Sequence, residues 1–161
     1  MKALESEEIL SDEIFDAIKR IISQTPHVVF GGSIALNAVG LLNRKVKDID
    51  LFLSTNESLT KNGLLLLENI GETTSDTVTD INGVEIQRTG MKIGDVKICC
   101  FKVSDDQLQH SKHTFTRNGN TITICIQNVN YVIEAKKTYS NYNPKHEEDL
   151  ECISTTLDTL F

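Results

Sequence analysis

The chain has 161 residues, 39% of them apolar and 24% charged, enough for one globular domain around a single core. A net charge of −7 disfavours a long phosphate-tracking surface for nucleic acid, which is normally basic. No apolar run approaches the roughly 20 residues a membrane-spanning helix needs, and the acidic start MKALESEEIL does not resemble a signal peptide. The expectation is one cytoplasmic domain over residues 1–161, with no membrane association.

Ser11 to Gln24 predicts an amphipathic helix. Ile14, Ile18, Ile21 and Ile22 share one face, Ser11 can cap, and Asp12 and Glu13 suit the positive amino-terminal end. Pro26 stops it. His27 to Phe30 (HVVF) is a short apolar run that reads as a buried strand, ended by Gly31-Gly32-Ser33, after which IALNAVGLL is helical in period. A basic connection carrying Arg44, Lys45 and Lys47 leads to DIDLFLS, where strict alternation sets Asp48, Asp50 and Phe52 against Ile49, Leu51 and Leu53.

Glu57 to Asn69 predicts a helix closed by Gly71. Residues 73–103 are β-rich, with GVEIQRTG and DVKICCFKV as antiparallel strands, whereas DTVTDING reads as a loop. HTFTRNGNTITICI predicts a hairpin turning at Asn118-Gly119. NVNYVIEAKKTYS predicts a helix, and Asn143 and Pro144 open another with Leu150, Ile153, Leu157 and Leu160 as its apolar stripe. His110 and His113 are spaced to meet on one helical face, without a further ligand. Cys99, Cys100, Cys125 and Cys152 lack the spacing of a zinc site or a disulfide framework and read as reduced, buried thiols.

Two features carry chemistry. Gly31-Gly32-Ser33 lies between a strand and a helix, where glycines admit close backbone approach and free helical N–H groups attract phosphate. Asp48-Ile49-Asp50 places two carboxylates about 7 Å apart on one side of a strand, a costly arrangement of like charges unless a cation lies between them. Such hard oxygen donors suit Mg²⁺, which takes one or two carboxylates together with phosphate oxygens. Fourteen residues separate Ser33 from Asp48, room for one helix and a return to a neighbouring strand.

The string VVFGGSIALNAVGLLNRKVKDIDLFL resembles the signature of the nucleotidyltransferase superfamily: apolar strand, Gly-Gly-Ser, helix, then an Asp-apolar-Asp strand. YVIEAKKTYSNYNPKHEEDLECI is similar to the closing region of small prokaryotic members, including abortive-infection toxin types. The resemblance touches about half the chain. It implies an α+β class with a nucleotidyltransferase (polymerase-beta-like) fold, a mixed sheet flanked by helices. It also implies Mg²⁺-dependent transfer of a nucleoside monophosphate from a nucleoside triphosphate to an acceptor, which a small molecule, a protein or an RNA could supply. On this reading Asp48 and Asp50 hold the metal, Gly31, Gly32 and Ser33 cradle phosphates, and Lys136 neutralises the leaving pyrophosphate, with Lys145 and Asp149 in support.

Competent members add a third carboxylate on a following strand. If VKICCF aligns with that strand, Cys99 stands where the acid is expected, and Glu85, between Val84 and Ile86, is the alternative donor. A domain without that acid would bind nucleotide or a protein partner without turnover, as a toxin–antitoxin component could.

Overall fold

Ser11 opens the first helix as expected: its Oγ accepts a hydrogen bond from the Ile14 N–H at 3.2 Å, satisfying one of the first-turn donors. The computed structural model describes residues 9–25, 28–42, 44–54, 73–79, 83–139, 148–151 and 153–154. Helix α1 (Asp12–Gln24) buries Ile14, Phe15, Ala17, Ile18 and Ile21. Each such large apolar side chain contributes about 1.5–3 kcal/mol on burial. Strand β1 (Val29–Phe30) and helix α2 (Gly32–Ala38) follow, then β2 (Asp48–Ser54), β3 (Thr73–Thr79), β4 (Glu85–Ile93) and β5 (Val96–Val103). A single 3₁₀ turn (Asp105–Leu108) leads into β6 (His110–Arg117), β7 (Asn120–Gln127) and α3 (Val129–Tyr139). Residues 148–151 and 153–154 are helical.

All seven strands of the described residues join one sheet in the order β3-β4-β5-β2-β1-β7-β6. The β2–β5 and β1–β7 pairs are parallel and the rest antiparallel, so the sheet is mixed. The register aligns Ile49 with Ile98 and Met91, and Leu51 with Cys100. These side chains, with Phe30, Ile122, Ile124 and Ile126, form a core face joined to the apolar stripe of α1. The opposite face carries Asp48, Asp50 and Phe52. At the far edge, Arg117 donates to Asp12 Oδ1 and to the Leu10 carbonyl, both at 2.7 Å, tying the hairpin to the start of α1.

The α+β class stands, but the expected nucleotidyltransferase (polymerase-beta-like) arrangement, a mixed sheet flanked by helices, is corrected. The described residues build a strand-dominated, seven-stranded mixed sheet with only short helical segments beside it, and that is not the helix-then-sheet order of the expected fold. The physical reason lies in residues 73–127, whose β-branched alternation and tight turns favour a succession of strands over helices. Two local readings change with it. Asp76 to Thr79 of the expected loop belong to β3, and His110 and His113 lie on strand β6 rather than on a helix. His113 meets the Phe115 ring edge-on at 4.6 Å. The expected helix 57–69, the Asn143-Pro144 start, Leu157, Leu160, Lys145, Cys152, Pro26 and His27 lie outside the described residues. Among the described residues no helix is long and apolar enough to cross a membrane.

The β6–β7 turn is built as its sequence demands, with Asn118 at φ 50° and Gly119 at φ 80°, both left-handed. A Cβ on Gly119 would meet no atom within 4 Å, so its cost is confined to the backbone. Gly119→Ala is therefore expected to lower stability by about 1–2 kcal/mol with unchanged spectroscopic signatures of the fold. Denaturant titration measures this, and an unshifted midpoint would contradict the turn assignment.

Candidate functional site

Alternation along β2 and its pairing with β5 set out the second face in rows. Asp48 lies beside Lys97 and, one strand further, Lys92. Asp50 lies beside Cys99 and then Gly90, and Phe52 beside Phe101 and then Arg88. Directly paired residues project to the same side of a sheet, so these nine positions share a face. The Phe52 and Phe101 rings stack at 5.2 Å between centroids, forming an apolar floor next to the carboxylates. Asp48 is exposed, whereas Asp50 is half-buried.

What half-buries Asp50 is the glycine turn. The Gly31 N–H donates to the Asp50 carbonyl at 2.9 Å, extending the β1–β2 ladder by one residue. Gly32, at φ 58°, starts α2 immediately beyond. A Cβ on Gly32 would collide with Oδ2 of Asp50, and one on Gly31 would collide with the Phe52 ring and crowd Gln127 Oε1. Both glycines are thus required by contact, and Gly32 by its dihedral as well. The Asp50 carboxylate consequently lies against the first turn of α2, whose start has no side-chain cap. Ser33 occupies the second position of that helix, half-buried.

Cys99 is the residue in register with Asp50. Burial raises its thiol pKa, and the Asp50 charge raises it further; Arg88 pulls it back, Asp48 adds a smaller upward push and Lys97 a smaller downward one. The fields of both aspartates therefore converge on this thiol. Cys100, on the core face, is pushed up to about 12 by burial. Glu85 does not join the pair. Gly90 is the β4 residue opposite Cys99, and Glu85 lies five positions away, about 17 Å along the strand. It also has the alternation of buried Thr89 and Met91, so it leaves from the other face of the sheet.

Among the described residues no group of three or more His, Cys, Asp or Glu side chains is gathered to hold a metal ion. The carboxylates on this face are those of Asp48 and Asp50, whose oxygens match Mg²⁺ in hardness and in its usual number of protein carboxylates.

A second cluster lies in the connection to β2 and the carboxy-terminal helices. Asp149, 3% exposed, accepts from Arg44 Nε and Nη2 at 2.9 Å each and from Lys136 Nζ at 2.6 Å. Lys136 is 6% exposed, and this ion pair holds the ammonium expected to meet phosphate. Asn37 links the cluster to the glycine turn: its Nδ2 donates to the Ser33 carbonyl at 2.7 Å, and its Oδ1 accepts from the Arg44 N–H at 3.1 Å. Nothing in a single sequence announces the Arg44–Asp149 pair, whose members stand 105 residues apart. Gln127, buried against Gly31 and donating to the Gln107 carbonyl at 2.8 Å, was equally hidden by its place at the end of an apolar strand.

Two measurements probe these electrostatics. Burial alone would raise the Asp149 pKa, but hydrogen bonds from Arg44 and Lys136 together with their charges hold it below the usual carboxylate range. Its stabilising contribution is thus complete above the unfolded carboxylate pKa of about 3.9 and disappears as pH falls through the lower folded value. Asp149→Ala leaves two cations facing a lost partner and should cost about 3–5 kcal/mol near neutrality, with a smaller difference in acid. A pH series of denaturation midpoints for both proteins tests this. For Cys99, Asp50→Asn removes a charge that opposes thiolate formation, so alkylation of that cysteine at pH 8 should accelerate. Peptide mass spectrometry reads the rate, and a slower or equal rate would separate the two side chains.

No family model matches the chain, and no curated protein does so either. A solved structure, the crystal structure of JHP933 from Helicobacter pylori, is similar at 17% sequence identity and a TM-score of 0.34. The similarity covers 79% of this chain and 57% of that one, so the chain spans little more than half the length of that protein. A likeness at this level carries neither fold nor function across, and both rest on the residues of this chain.

Proposed function

We propose that the protein binds a nucleoside triphosphate with Mg²⁺ at Asp48 and Asp50 and transfers its nucleoside monophosphate to an acceptor. The observation that carries this reading is the close approach of Asp50 to Gly32, which sets a hard carboxylate pair beside a glycine turn and uncapped helix start. Asp48 and Asp50 would hold the cation, and Gly31, Gly32 and Ser33 would present backbone N–H groups and a hydroxyl to the outer phosphates. The bound cation would supply charge neutralisation at the reacting phosphoryl group. The stacked Phe52 and Phe101 offer an apolar surface beside the carboxylates for the nucleoside. The acceptor is a small molecule, a protein hydroxyl or an RNA end. Free Cys99, Cys100 and Cys125 accord with a reducing, cytoplasmic setting.

A second reading has its own observation. Cys99, not an acid, lies opposite Asp50, and Glu85 leaves from the other face. This favours nucleotide binding with slow or no transfer, and the resemblance to small prokaryotic nucleotidyltransferases accommodates both readings.

Calorimetry with each triphosphate, with and without Mg²⁺, tests the shared element: binding is expected only with the cation, because two carboxylates repel a triphosphate. Equal affinity in both conditions overturns the site. Cys99→Asp separates the readings. The added charge should lower the thermal midpoint in chelator, and Mg²⁺ should raise it by more than in the natural protein. Transfer of label from an α-labelled triphosphate that rises in this variant supports a site short of one acid; full turnover in the natural protein alone assigns the chemistry to the two aspartates.

A further inference from the structure

The connection between α2 and β2 is charged well beyond the needs of a surface loop. Arg44, Lys45 and Lys47 line a single cavity of about 400 Å³ together with Glu148 and Asp149. The chain carries a net charge of −7, yet here the balance reverses. Counting Lys136 behind Asp149, four cations meet two carboxylates, and one of those carboxylates is already shared between Arg44 and Lys136. Lys45 and Lys47 are exposed, and neither has an ion-pair partner among the described residues.

Arg44 is the prepared element. Asp149 grips its Nε and Nη2, and Nη1 donates to the Lys45 carbonyl at 3.3 Å. A guanidinium has five N–H donors. Among the described residues, one hydrogen on each terminal nitrogen has no acceptor, in a group whose orientation is already fixed, so a ligand need not order that side chain on binding. Planar paired donors of this kind match the oxygens of phosphate, and two exposed ammonium groups add charge at the rim. The recess is half-open to solvent, and a volume of about 400 Å³ leaves room for a small anion to reach these donors.

We propose that this cavity is a binding site for the phosphate group of a small anionic ligand, held by Arg44, Lys45 and Lys47 without a divalent cation. The site is built from residues other than the carboxylate pair and does not depend on the reading of Asp48 and Asp50 given above. Its link to the glycine turn runs through Asn37, which holds both the Arg44 N–H and the Ser33 carbonyl.

The probes are inorganic pyrophosphate and inorganic phosphate, titrated calorimetrically into the full chain in the presence of EDTA. One saturable event that weakens with added salt is expected for at least one of the two anions. Because Arg44 also serves the fold, the discriminating variants are on the exposed rim. The double variant Lys45→Ala, Lys47→Ala should bind about tenfold or more weakly while keeping its thermal midpoint. Glu148→Gln, which removes an exposed negative charge from the wall, should bind more tightly. Absence of saturable binding by both anions overturns the proposal, as does unchanged affinity in the lysine double variant. Binding that disappears in EDTA also overturns it, because it would then belong to the metal-dependent carboxylate pair.

Discussion

The hydrogen bond from the Gly31 N–H to the Asp50 carbonyl, with no Cβ on Gly31 or Gly32 to prevent it, fixes the rest of this molecule. It brings a turn to the middle of the sheet at the point where β2 carries its charged side chains. Once Asp50 is held there, the β2–β5 register decides that its neighbour is a thiol and that the next row is a pair of stacked rings. Any larger residue at either glycine would separate the carboxylate from the helix start or force β1 out of the sheet. Close contact, more than glycine flexibility, is the reason for the Gly-Gly pair.

Asp149 plays the matching part for the positive charges. An isolated carboxylate this deeply buried would be costly, and two cations with good geometry offset that cost. The arrangement fastens the connection before β2 to the helical residues near position 149 and the last turn of α3. Through Asn37 it reaches the glycine turn, so negative and positive clusters share one hydrogen-bonded path. The approach to β2 thus gathers Arg44, Lys45 and Lys47, while on the second face of the sheet Asp48 and Asp50 lie among Lys92, Lys97 and Arg88.

Local chemistry made much of this legible in the sequence. The Ser11 cap, the alternation of Asp48 to Leu53, the Asn118-Gly119 turn and the apolar stripe of α1 depend on residues close together in the chain, and each is found as expected. The architecture was not legible, because strand order depends on pairings between distant segments that no local period records. The sequence offered Cys99 or Glu85 for the position beside Asp50. Register and face decided between them, placing Cys99 in the row and Glu85 on the other side. Lys136 carried no local sign of its partner; only the fold reveals that Asp149 engages it.

The brevity of β1 has a consequence for how the chain reaches this state. It contributes only Val29 and Phe30, held between antiparallel β2 and parallel β7, whose partners in the latter are Cys125 and Ile126. A strand of two residues cannot persist on one neighbour, and its parallel neighbour must return across most of the chain, at a loop-closure cost that local hairpins avoid. The β4–β5 and β6–β7 hairpins can form from adjacent residues, but they become one sheet only when β1 is inserted between the two halves. The glycine turn, which continues β1, therefore takes its place beside Asp50 only where β1 has joined the two halves.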